Sequence, residues 1–110
     1  MTDFDKLVGR NVLTLVDFFA SWCGPCQAMH PVVDRLQEQL RGSVDVYKVN
    51  IDSPEMAAVV HRYQIRSVPT LIFFRNGEVV WRRSGMIGYD ELAALCRQLG
   101  ARETTPQQAH

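Results

Sequence analysis

Apolar positions fall into two kinds of block along the chain. Some recur every three or four residues, the period of a helix, and others run nearly unbroken, as in a strand buried on both faces. Phe4, Leu7 and Val8 predict a short helix over 3–9, with Thr2 or Asp3 as cap. Residues 12–20 are apolar except for Thr14 and Asp17, which predicts a buried strand. From 24 to 41, Cys26, Met29, Val33, Leu36 and Leu40 form one stripe, an amphipathic helix that Pro31 should kink and Gly42 should stop. A second strand is predicted over 44–51. Ser53-Pro54 then opens a helix, with Ser53 as cap and an apolar face of Met56, Val59, Val60 and Tyr63. A third strand over 70–75 meets the turn Asn76-Gly77, so 78–84 is its antiparallel partner. The last helix starts at Tyr89 or Asp90 and buries Leu92, Leu95, Cys96 and Leu99.

These elements make one α/β domain over 1–100, a mixed sheet with helices on both faces, and 101–110 reads as a flexible tail. The first two strands are joined by a helix and should be parallel. The 65–69 loop is long enough to reverse the chain, so the direction of the third strand stays open. Only 21 residues precede Trp22, and the first helix and strand use nearly all of them. The sheet should therefore have four strands, with 44–51 as an open edge. Such an edge invites pairing with a second chain unless it is blunted. Asp45, Lys48 and Asn50 interrupt it, and the N-terminal segment is available to fold over it. A monomer is expected, with a weak dimer as the alternative.

Charge narrows the function classes. Lys+Arg and Asp+Glu are both 12, for a formal net charge of zero, and no basic stripe suggests a nucleic-acid surface. No apolar run is long enough to cross a bilayer, and no secretory signal is visible, so the expected setting is cytoplasmic. The three cysteines are an odd number, and two of them are three residues apart. A tight pair in a reducing compartment is redox-active or metal-binding more often than structural.

Cys23-Gly24-Pro25-Cys26 lies where the first strand gives way to the long helix. A cysteine just ahead of a helix points its sulfur at unpaired N–H groups and the positive end of the dipole. Both favour thiolate, so Cys23 should be the nucleophile. Cys26, one turn into the apolar stripe, should be shielded and should resolve the mixed disulfide. Pro25 stiffens the connection. The rival reading, half of a zinc site, needs two more ligands; there is no second cysteine pair, and His30 and His61 stand apart in the sequence. No metal or cofactor is expected beyond the Cys23/Cys26 disulfide itself. Cys96, on the apolar face of the last helix, and Trp81, in the fourth strand, read as packing.

The segment Val16-Asp17-Phe18-Phe19-Ala20-Ser21-Trp22-Cys23-Gly24-Pro25-Cys26 closely resembles the active-site segment of the thioredoxin family. Pro31, Lys48-Val49-Asn50-Ile51-Asp52, Ile65-Arg66-Ser67-Val68-Pro69-Thr70, Phe74-Arg75-Asn76-Gly77-Glu78 and Gly85 continue the resemblance in the same order. It covers residues 4 to 99. It implies the thioredoxin fold and a protein dithiol–disulfide oxidoreductase. The Gly-Pro pair between the cysteines resembles reducing members of the family rather than oxidants. Thioredoxin reductase would supply electrons, and oxidised proteins would be the substrates.

Carried over by position, the resemblance implies that Asp17 is a buried carboxylate beneath Cys26. A lone acid in an apolar strand is costly unless paired, and burial should raise its pKa so that it can take the Cys26 proton. The alternative is a salt-bridged structural Asp. Lys48 is implied as its partner. Pro69 would be a cis-proline facing the cysteines, with the backbone around Val68 open to strand-like pairing with substrate. Trp22, Gly24, Pro25, Gly85 and Met86 would complete a docking surface. Phe19 departs from the family, which usually carries Trp there, and Cys96 is an addition.

Overall fold

The computed structural model describes residues 3–108, with side chains through Gly100. Thr2, one of the two cap candidates, lies outside the described residues. Helix α1 (Asp3–Val8) leads into strand β1 (Thr14–Phe19) and helix α2 (Gly24–Gln39). Strand β2 (Asp45–Asn50) is followed by a 3₁₀ turn (Pro54–Met56) and helix α3 (Ala57–Arg62). Strands β3 (Thr70–Arg75) and β4 (Glu78–Ser84) form the hairpin, and helix α4 (Tyr89–Gln108) closes the order. α4 thus runs on into the segment that the sequence pattern sets aside as a tail.

The sheet order is β2-β1-β3-β4. β1 pairs β2 in parallel and β3 antiparallel, so the 65–69 loop does reverse the chain. β2 is an edge, and the sheet has four strands among the described residues. β1 and β3 sit in the middle and are buried on both faces, which is why their sequences lack alternation. One face carries Leu13, Leu15, Leu71 and Phe73 against Met29, Val33 and Leu36 of α2 and Leu92, Cys96 and Leu99 of α4. The other carries Val16, Phe18, Ile72 and Phe74 against Phe4 and Val8 of α1 and Val59 of α3. Trp81 tilts against Phe73 at 5.7 Å.

Three local details differ from the sequence reading. β1 and α2 are shorter at their ends, a matter of one or two residues of fraying. The helix opened by Ser53-Pro54 starts as a 3₁₀ turn. Ser53 makes no cap bond, and its hydroxyl lies 2.6 Å from the Glu55 carboxylate instead. The N-terminal segment does not lie along the β2 edge as a strand. α1 covers a sheet face, and among the described residues ahead of β1 it is Arg10 that reaches the edge, where its guanidinium pairs with Asp45 and donates to the Tyr47 hydroxyl.

The hairpin turn holds the start of the chain. Asn76 and Gly77 have φ of 54° and 81°, the left-handed pair that a two-residue hairpin needs. Their amides donate to Arg10 O and Val8 O, both at 2.9 Å. Beside them, Arg75 donates to the Asn11 side-chain oxygen at 2.8 Å. This clamp is at the end of the sheet opposite the cysteines.

Candidate active site

β1 ends at Phe19, and the chain turns through Ser21 and Trp22 into α2. Cys23 is the N-cap of that helix, in extended conformation. Cys23 and Cys26 are joined as a disulfide, with Cα atoms 5.3 Å apart. The Cys26 amide donates to Cys23 Sγ at 3.1 Å, one of the helix N-terminal N–H groups that have no partner within the helix. Pro25 occupies the first turn of the helix, where no hydrogen bond is lost. Cys26 is wholly buried, and Cys23 keeps a 5% opening to solvent. The pair is therefore asymmetric: one sulfur at the surface against the helix terminus, the other behind it.

The Val68–Pro69 peptide is cis. Cys23 Sγ lies 3.6 Å from the Val68 carbonyl oxygen. Gly85, at φ 99°, sends its amide to Pro69 O at 2.8 Å, which brings the β4 end beside the same loop. A Cβ on Gly85 would meet nothing within 4 Å, so its backbone conformation rather than crowding calls for glycine. Trp22 and Met86 are large apolar side chains left 70% and 52% exposed. Gly24 and Pro25 are exposed, and Val68 is half-buried against the cysteines. The Trp22 indole N–H donates to Asp52 at 2.9 Å, which fixes the ring.

Asp17 is fully buried on the α2 side of the sheet. Burial pushes its carboxyl up from 3.8 to about 6; Lys48 draws it down and Asp34 pushes it up. Neither carboxylate oxygen has a hydrogen-bond partner among the described groups. Lys48 acts on Asp17 by charge, without a hydrogen bond to it. Lys48 is opposite Asp17 in register, but its Nζ pairs with Asp34 at 2.7 Å. Lys48 is partly exposed, and Asp34 offers it a solvated carboxylate without the cost of dehydrating the ammonium. Its influence on Asp17 is through the field alone.

The sequence reading treats His30 as isolated. In the fold its Nδ1 comes within 3.7 Å of Asp17 Oδ2. The ring also packs edge-on against Phe19, with centroids 4.9 Å apart. The signal was available: His30 is four residues after Cys26, hence on the same helix side. Cys96 is buried, and burial pushes its thiol up to about 11, which keeps it protonated and unreactive. No group of three or more His, Cys, Asp or Glu that would hold a metal ion occurs among the described residues.

The family model for thioredoxin matches residues 1–98. The chain belongs to the thioredoxin family. It is 41% identical over 95 residues to the thioredoxin-like protein slr0233 of Synechocystis, covering 86% of each chain. It is also 41% identical over 100 residues to the chloroplastic M-type thioredoxin of Pisum sativum, covering 89% of this chain and 55% of that one. It thus spans about half the length of that relative. Among solved structures, a mutant thioredoxin from Halobacterium salinarum superposes with a TM-score of 0.78 at 37% identity, over 89% of this chain and 83% of that one. The paired cysteines at the head of α2 are placed for the family's dithiol–disulfide exchange. No helix among the described residues is long and apolar enough to cross a membrane.

Proposed function

We propose that this thioredoxin-family chain is a protein-disulfide reductase, working through Cys23 and Cys26 and recycled by a thioredoxin reductase. The observation that carries the reading is the asymmetry of the pair, one sulfur against the helix N-terminus and the other wholly buried. As thiolate, Cys23 attacks a target disulfide, forming a mixed disulfide and expelling one target thiolate. Cys26 then attacks Cys23, its proton passing to Asp17, and the second target sulfur leaves as thiolate. The target gains two electrons and the cysteine pair loses them. Asp17 suits the acceptor role, since burial raises its carboxyl to about 6 and its oxygens have no competing hydrogen bond among the described groups. Lys48 tunes that carboxyl through its charge.

Trp22, Gly24, Pro25, Val68, Pro69, Gly85 and Met86 make the docking surface for an extended stretch of an oxidised protein. Backbone groups of Val68 pair with the target, and Trp22 and Met86 supply apolar contact. A cytoplasmic, reducing setting belongs to this reading, because the reductive direction needs a steady supply of electrons. The test is reduction of insulin with a reductase and its electron donor present. The wild type should turn over, Cys23→Ser should be inactive, and Cys26→Ser should accumulate mixed disulfides with targets. Limited alkylation of the reduced protein at neutral pH should modify Cys23 first. Faster alkylation of Cys26 would reverse the roles.

A further inference from the structure

His30 joins the site by geometry alone. Its Nδ1 is buried without a hydrogen-bond partner among the described groups, as are both oxygens of Asp17. These orphaned atoms face one another at 3.7 Å, and closing that gap by about half an ångström makes a charge-assisted hydrogen bond. Asp17 has no exposed surface, whereas the His30 side chain is 21% exposed. The imidazole therefore spans the distance between a sealed carboxyl and water. Phe19 holds it there edge-on. The other charged groups that act on Asp17 are Asp34 on α2 and Lys48 on β2. Across β1 on the other side, the partner of Asp17 is Leu71, which carries no charge.

We infer that His30 is a positioning residue for the proton step: it acts through Asp17, donating its Nδ1–H to the carboxylate and favouring its ionised form. The inference rests on the reading of Asp17 as proton acceptor. In resolution, Cys26 gives its proton to the Asp17 carboxylate as its sulfur attacks Cys23. The Asp17 carboxylic acid then loses its proton to solvent, and the His30 Nδ1–H, donating to the carboxylate, holds it ionised. The sum is one proton released, one disulfide formed between Cys23 and Cys26, and one target thiolate freed. Asp17 is left ionised for the next cycle.

The test compares His30→Gln and His30→Ala with the wild type and with Asp17→Asn, following single-turnover resolution of a mixed disulfide from pH 5.5 to 8.5. The carboxyl of Asp17 is followed in parallel by ¹³C NMR. In both His30 variants the Asp17 midpoint should rise. Resolution should slow roughly fivefold at pH 6 and match the wild type at pH 8, as a one-unit rise of the midpoint requires. Thermal melts establish that the variants are folded, and His30→Gln keeps a polar side chain at the position should His30→Ala fail that check. An unchanged Asp17 midpoint, or a loss of rate equal at every pH, would overturn the inference and leave His30 a packing residue. The two readings fail differently. If Asp17→Asn keeps the wild-type profile, Asp17 leaves the mechanism and His30 with it. If Asp17→Asn flattens the profile while the His30 variants keep it, only the role of His30 falls.

Discussion

Asp17 sits mid-strand between Lys48 and Leu71 with no exposed surface, and its burial has a thermodynamic cost. Its carboxyl is raised from 3.8 to about 6 by dehydration. Between those values the folded protein holds a proton that the unfolded chain has lost, so stability falls as pH rises through that window. Above pH 6 the cost levels off at about 3 kcal/mol. Asp17→Asn removes it. Urea unfolding at pH 4, 5, 6 and 7 should show the wild type losing stability across the series while the variant stays level. The variant should end more stable at pH 7 by up to about 3 kcal/mol; parallel curves would mean that the carboxyl is not raised. A lone acid inside an apolar run announced this residue in the sequence. The surroundings were not legible there. Whether Lys48 would face Asp17 or Asp34 depends on which carboxylate stays wet, and whether His30 reaches β1 depends on how α2 lies across the sheet. Spacing along one element gives neither.

At the level of elements, β2 is an edge strand whose outer side has no strand partner among the described residues. The Asp45 amide donates to Leu13 O and the Ile51 amide to Phe19 O. By the alternation of a strand, the amides of Tyr47 and Val49 also face β1, and those of Val46, Lys48 and Asn50 face outward. Hydrogen exchange should therefore be slow at Tyr47 and Val49 and faster at Val46, Lys48 and Asn50. Sedimentation across a concentration series separates the alternatives. Exchange that slows at the outward amides only as a dimer forms would mean that a second chain pairs there. The strands were the most legible part of the sequence, because β1 and β3 are apolar on both faces and Asn76-Gly77 fixes the hairpin. The reversal at 65–69 was not, since a loop of that length permits either direction. The start of the helix after Ser53 also escaped, because Ser53 engages Glu55 rather than the helix end.

Over the whole molecule, the cysteines occupy one end of the sheet and the clamp on the hairpin turn occupies the other. The clamp joins segments far apart in the chain: Asn11 and Arg75 are 64 residues apart. α1 has six residues, too few to persist as a helix in water without its tertiary contacts. Phe4 finds those contacts on Phe18, Tyr63 and Phe74, the last two of which belong to the later half of the chain. During synthesis α1 lacks its contacts with Tyr63 and Phe74 until those residues have left the exit tunnel. In refolding it faces a long loop closure, which places its docking after the main barrier. Phe4→Leu, at a cost of roughly 1 to 1.5 kcal/mol, should then speed unfolding about tenfold in stopped-flow denaturant jumps and leave the folding rate nearly unchanged. An equal slowing of folding would put α1 in the nucleus. The helix ahead of β1 is thus secured last, and the lifetime of the native state is governed from the end of the molecule that takes no part in its chemistry.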